Sequence, residues 1–170
     1  MEPMDVMEFG RMAVLADPTG AVVGIWQAGT HTGVNLANEP GTFFWAEGLS
    51  SDLAAARAFY GAVFGYEYED LSAPGFEYVT TNIGGRPVGG LGGTGSQPEG
   101  APPHWQVYFA VADTDSSAAQ AVALGGTILD GPRDTTYGRL AVVQGPAGEQ
   151  FALMSTAEPE SPDKSGPAGA

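Results

Sequence analysis

The chain has no cysteine, only six lysines and arginines against twenty aspartates and glutamates, and two histidines. Each shortage excludes something. Without cysteine there is no disulfide, no thiolate nucleophile and no sulfur-ligated zinc or iron–sulfur cluster. A formal net charge of −14 leaves no cationic footprint for nucleic acid and opposes an anionic membrane surface. A neutral or cationic small molecule is the easier partner. His31 and His104 are the only imidazoles, so the material for a metal site is scant. No apolar run reaches membrane-spanning length, and the start MEPMDVMEF is acidic, without the basic and apolar stretches of a secretory signal. The expected location is the cytoplasm.

What the chain does have is one phrase used twice. Residues 9–20 read FGRMAVLADPTG and residues 137–148 read YGRLAVVQGPAG. Aligned without gaps at an offset of 128 residues, Phe9–Trp26 and Tyr137–Met154 share six identical positions of 18. Both read as a hairpin: an apolar strand, a Pro-x-Gly turn and a second strand. So long a repeat is domain-sized. The first copy is therefore expected to be the closing hairpin of a preceding domain, so residues 1–40 read as that remnant plus a linker. Residues 41–156 read as one complete domain, and 157–170, rich in Pro, Ser, Gly and acids, as a disordered tail. A lone hairpin is marginal in water, so this one is expected to pair with a sheet, either the domain's own edge or a second subunit.

Within 41–156 the order strand–helix–strand–strand–strand occurs twice. FFWAEGL is strand-like; Ser51 or Asp52 can cap a helix whose apolar face runs Leu53, Ala56, Phe59, Tyr60, Val63, Phe64, and Gly65 ends it. YEYEDL, FEYVTTNI and RPVGGL follow as strands. The second set begins with HWQVYFAV, continues with a helix capped by Asp113 or Asp115, and closes with GTILD, GRLAVVQ and EQFALMS. The fold class expected is α+β: two βαβββ modules whose sheets face each other as a cupped, half-open barrel around a cleft.

Strand alternation assigns side chains to faces. In HWQVYFAV, the apolar set Trp105, Val107 and Phe109 suits the helix side, which sends His104, Gln106 and Tyr108 to the cleft. Leu140, Val142, Phe151 and Leu153 likewise suit the helix side, leaving Arg139, Ala141, Gln150, Ala152 and Met154 for the cleft. On the first strand Trp45 and Glu47 share a face; correspondence with Gln106 and Tyr108 puts them in the cleft. GGLGGTGSQPEG lacks the Gly-Lys-Ser/Thr ending of a phosphate loop and reads as a connector. There is no Gly-x-Ser-x-Gly for hydrolase chemistry.

The phrases SSDLAAARAFYGAVFGYEY, HWQVYFAVADTDSSAAQAVALGG and YGRLAVVQGPAGEQFAL resemble the vicinal oxygen chelate superfamily, which includes glyoxalase I, bleomycin-resistance proteins and extradiol dioxygenases. Within it the chain looks most like tandem glyoxalase-like proteins provisionally labelled hydroxylases. The resemblance implies metal-ligand positions at Trp45, at Gly89 or Gly90, at Gln106 and at Ala152, and only Gln106 among these could coordinate. No cofactor is therefore expected; a divalent metal is the alternative.

The reading that follows is a small-molecule-binding protein with a metal-free aromatic cleft, sequestering or modifying a metabolite or antibiotic. Glu47 is the catalytic candidate, because a carboxylate in an aromatic cleft is desolvated toward general-base range; a structural partnership with Arg139 or turn backbone is the plainer role. Tyr108 could serve a developing oxyanion or only wall the site. Trp45, His104, Gln106, Arg139, Gln150 and Met154 are the ligand-binding candidates. The alternatives are a divalent-metal lyase or dioxygenase, a hydroxylase, or an acid–base enzyme using Glu47. A homodimer, or pairing with the missing first domain, is the expected protein partnership.

Overall fold

The computed structural model describes residues 1–96 and 100–155; the tail expected at 157–170 lies outside them. The chain divides into two compact units. The first holds Met1–Asn38 and Phe43–Tyr108, and the second Glu39–Thr42 and the chain from Phe109 onward.

The N-terminal part of the first unit is a three-stranded antiparallel sheet, β1 (Met4–Val6), β2 (Gly10–Ala16) and β3 (Val22–Ala28), in that order. Its second half is a module of β4 (Phe43–Ser50), α1 (Leu53–Phe64), β5 (Glu67–Asp70), β6 (Tyr78–Ile83) and β7 (Arg86–Gly93). The strand β8 (His104–Ala110) adds its residues up to Tyr108, and the strand order is β5-β6-β7-β4-β8. β4 and β7 are parallel, with Glu47 opposite Gly90. Aromatic residues give β4 its strand preference, and the Ala-rich LAAARAFYGAVF favours helix. Asp52 caps α1 by accepting from the Ala55 amide at 2.9 Å, and Gly65 ends it in the left-handed conformation at φ 70°. Both ends match the sequence expectation.

The core of this unit joins Ala56 and Tyr60 of α1 to Val79 and Leu91 of the sheet, with Trp105, Phe59, Phe64 and Val23 packed against it. Gly48 makes this packing possible: a Cβ there would stand 3.2 Å from the Trp105 ring and closer still to Leu91. Trp105, Ala46 and Gly48 are thus on the α1 side, as alternation requires.

The hairpin β2–β3 was expected to pair with a sheet edge. Among the described residues no backbone ladder joins it to β4–β8. It gains a third strand of its own, β1, and is seated by side chains. Val23 packs on the α1 core. The Tyr60 hydroxyl donates to Asp17 at 3.0 Å and accepts from the Trp105 indole at 2.9 Å. Asp17 also accepts from the backbone amides of Thr19 and Ala21 and from the Thr19 hydroxyl, at 2.8–3.0 Å. Burial alone would raise its pKa; these four donors outweigh it and hold the carboxyl below the ordinary aspartate range.

The second unit repeats the module with α2 (Thr114–Ala123), β9 (Thr127–Thr135), β10 (Gly138–Gln144) and β11 (Gln150–Ser155). β11, β10 and β9 are neighbours in that order. Asp113 caps α2 through the Ser116 amide at 2.7 Å. Its core is Ala118 with Ala141, Val143 and Leu153, joined by Phe151, Val111, Ala121 and Ile128. This corrects the expected phase of β10. Ala141 and Val143, not Leu140 and Val142, face α2. β11 keeps its expected phase, with Phe151 and Leu153 toward the helix. The cause is Arg139, which belongs to the α2 side and bridges Asp115 in the first turn of α2 and Asp134 of β9; a one-residue slip turns every side chain over. In both units β sheets carry one helix on one face, an α+β arrangement.

The hairpin seat depends on one hydroxyl. Tyr60→Phe leaves the part-buried Trp105 N–H without its acceptor and Asp17 short of a donor, so it should cost about 1–3 kcal/mol by urea unfolding and speed amide exchange over Met12–Ile25. Because the Asp17 pKa is depressed, its contribution is present above the ordinary aspartate value and lost as pH falls through the depressed one. Asp17→Asn should flatten that acid limb in exchange measurements taken from pH 6 down to about pH 3.

Candidate functional site

β4 sends Trp45 and Glu47 to the face opposite α1. There they meet Tyr108 from β8 and Tyr78 from β6. The Tyr78 hydroxyl donates to Glu47 Oε1 at 2.9 Å, and the Tyr108 hydroxyl to Glu47 Oε2 at 2.5 Å. The Trp45 indole donates to the Tyr78 oxygen at 3.1 Å. Phe76 stacks on Tyr78, ring centres 5.6 Å apart and planes at 16°. Glu47 takes part in no ion pair among the described residues. Burial pushes its pKa above the usual glutamate value, and the Tyr108 and Tyr78 hydrogen bonds pull it back only in part.

Three of the residues proposed from sequence, Trp45, Glu47 and Tyr108, are therefore brought together. The structural partner of Glu47 is a pair of phenols rather than Arg139. Gln106 is buried at 5% exposure, and its amide donates to the Val107 carbonyl at 3.3 Å. His104 lies at the start of β8 with Nδ1 2.9 Å from the Pro102 carbonyl oxygen. The other three lie in the second unit. Arg139 is held on the α2 side by Asp115 and Asp134, with its guanidinium pKa raised by both. Gln150 is exposed at the start of β11. Met154 is buried at 5% exposure and pairs with Leu140 across the ladder. Neither Gln150 nor Met154 makes a side-chain hydrogen bond to Arg139.

Tyr78 escaped the sequence reading, although a signal for it exists. β7 reads RPVGGLGG, and a strand so poor in side chains needs its neighbour to fill the space. Tyr78 does this. A Cβ at Gly90 would overlap its hydroxyl, so the glycine opposite Glu47 is what lets the phenol reach the carboxylate.

Among the described residues no three His, Asp or Glu side chains converge, and no helix is long and apolar enough to cross a membrane.

A sequence model of the glyoxalase-like domain matches residues 44–154. CFP32 of Mycobacterium tuberculosis, provisionally named a glyoxylase, is 42% identical over 161 residues, covering 92% of this chain and 60% of that protein. The anthracycline biosynthesis protein DnrV of Streptomyces peucetius is 40% identical over 161 residues, covering 93% and 57%. The chain thus spans about 60% of the length of these relatives. Among solved structures, methylmalonyl-CoA epimerase of M. tuberculosis aligns with a TM-score of 0.50 at 15% identity, over 68% of this chain and 88% of that one. A hypothetical protein of Bacillus halodurans aligns at 0.51 and 12%, over 71% and 97%. At such identities the likeness shows the fold alone.

The phenols and burial act on Glu47 in opposite directions, which two variants separate. Tyr108→Phe removes a donor to the carboxylate and should raise the Glu47 pKa further, as followed by carbon NMR of the side-chain carboxyl. A fall toward the ordinary glutamate value would rule out burial as the dominant cause. A raised folded pKa means stability that is present below the ordinary value and lost as pH rises through the folded one. Glu47→Gln should therefore gain on the wild type in urea unfolding as pH rises from about 4.5 toward neutrality.

Proposed function

The chain belongs to the glyoxalase-like domain family, and from that premise we propose that the Glu47 face binds a small organic molecule without the help of a metal ion. The observation that carries this is the carboxylate held by two phenols. Each phenol has one proton, and the hydrogen bonds to Glu47 engage both. An ionised carboxylate has about four lone-pair sites, so Glu47 keeps acceptor capacity for a ligand after serving Tyr78 and Tyr108. The network therefore selects molecules that donate: hydroxyls, amines or ammonium groups. Trp45 and the stacked Phe76–Tyr78 pair give it an aromatic surface for an aromatic frame. Net charge of −14 turns anionic ligands away and favours neutral or cationic ones. A hydroxylated or aminated aromatic metabolite meets these requirements, and one relative is named for anthracycline biosynthesis.

The family's metal chemistry does not fit these residues. The positions where the superfamily carries ligands hold Trp45, Gly89 or Gly90, Gln106 and Ala152. An indole can only donate, a glycine and an alanine offer nothing, and the Gln106 amide is engaged with backbone. A single carboxylate flanked by neutral phenols is not the set of about three ligands that a catalytic divalent ion needs.

The raised pKa of Glu47 favours a second reading, an enzyme in which this carboxylate takes a proton from carbon. It would exchange the α-hydrogen of a bound ketone for deuterium in heavy water, and Glu47→Gln would not.

Elemental analysis of protein purified without a histidine tag tests the first reading. Iron, manganese, nickel and zinc should each be far below one per chain. One metal per chain, lost in Glu47→Gln or Gln106→Ala, would overturn the proposal.

A further inference from the structure

The first unit contains a concavity on the face of β4 opposite Glu47. A cavity of about 300 Å³ lies between the N-terminal hairpin and the module, with Trp26, Ile25 and Val23 on one wall and Phe64, Tyr66, Trp105, Ala46, Thr81 and Val88 on the other. Residue 46 looks into it while residue 47 looks away, so it is separate from the Glu47 network.

Its polar groups divide into two kinds. The two indoles are already engaged, Trp26 with the His31 carbonyl at 2.9 Å and Trp105 with Tyr60 at 2.9 Å. They present only their rings. Thr81 is different. The residue as a whole is 1% exposed, it lines the cavity, and among the described residues its hydroxyl makes no hydrogen bond. A hydroxyl left this way has its proton and lone pairs available to an occupant of the cavity. Tyr66 lies in the same wall, its hydroxyl likewise without a hydrogen bond among the described residues, and burial raises its pKa, so it is a neutral phenol. The walls thus offer aromatic rings and two hydroxyls, of Thr81 and Tyr66.

We propose that this cavity binds a flat aromatic molecule of about two fused rings bearing a carbonyl or hydroxyl. The ring lies among Trp26, Trp105 and Phe64, and its oxygen meets Thr81 and Tyr66. The volume is at the small end of ligand pockets, too small for a larger polycycle. Since the hairpin forms one wall, an occupant also ties the hairpin to the module.

Coumarin, a two-ring aromatic with a ring carbonyl, is a suitable probe, titrated into the full chain and followed by the indole N–H signals of its three tryptophans. The signals of Trp26 and Trp105 should move saturably while that of Trp45, on the other face, stays, and amide exchange over Met12–Ile25 should slow. Thr81→Val should weaken binding about three- to tenfold with Tm unchanged or raised, because the lost hydroxyl bonds nothing in the free protein. Ala46→Leu, which fills the cavity, should abolish the shifts. The proposal fails if no saturable shift occurs, or if only Trp45 responds. It fails equally if Thr81→Val binds coumarin as the wild type does, or if that variant lowers Tm as the loss of a structural hydrogen bond would.

Discussion

A buried acid with no cation beside it must be satisfied by neutral donors, and in this chain that requirement organises both faces of the first sheet. With six lysines and arginines in 170 residues, there are few cations to place inside. The ones that pair do so at the surface, as Arg11, Arg57, Arg133 and Arg139 show. Asp17 and Glu47 are instead held by hydroxyls. Asp17 has two backbone amides, a threonine and Tyr60, and its pKa ends low. Glu47 has only two phenols, and its pKa ends high. The difference in donor number separates a structural carboxylate from one left with chemistry to offer.

Tyrosine does this work because it combines a large apolar body with one directed proton. Tyr60 fills the α1 core and reaches the hairpin from there. Tyr78 and Tyr108 reach Glu47 from either side of β4. For two of the three a neighbouring strand gives up its side chain to make room: Gly48 for the Trp105 ring that bonds Tyr60, and Gly90 for the Tyr78 hydroxyl. The glycine-rich β7 is thus not a flexible segment but the negative of the aromatic residues beside it.

Much of this was legible in the sequence. The two βαβββ modules and the caps Asp52 and Asp113 follow from periodicity and capping chemistry; alternation alone left the first strand ambiguous, and correspondence with Gln106 and Tyr108 placed Trp45 and Glu47. What escaped depended on contacts between strands. β10 reads GRLAVVQ, with four apolar residues in a row, so alternation could not fix its phase; the Asp115–Arg139 bridge to α2 does. Tyr78 was one of several aromatics in FEYVTTNI, and only its facing glycine marks it out. The hairpin's seat rests on Asp17, which as part of a Pro-Thr-Gly turn looks local. The matching turn of the second copy is served by a carboxylate from the other side, Glu149, which accepts from the Ala147 amide at 3.1 Å. The repeat therefore preserves the hairpin while exchanging the residue that fastens its turn.

The chain of donors at Glu47 runs in one direction. Trp45 can only give its proton, so the Tyr78 oxygen is already committed as an acceptor on one side and its own proton points at Oε1. If the carboxylate gains a proton, that arm resists reversal, because Tyr78 would have to accept twice. One indole N–H thus sets the direction in which a phenol two strands away donates.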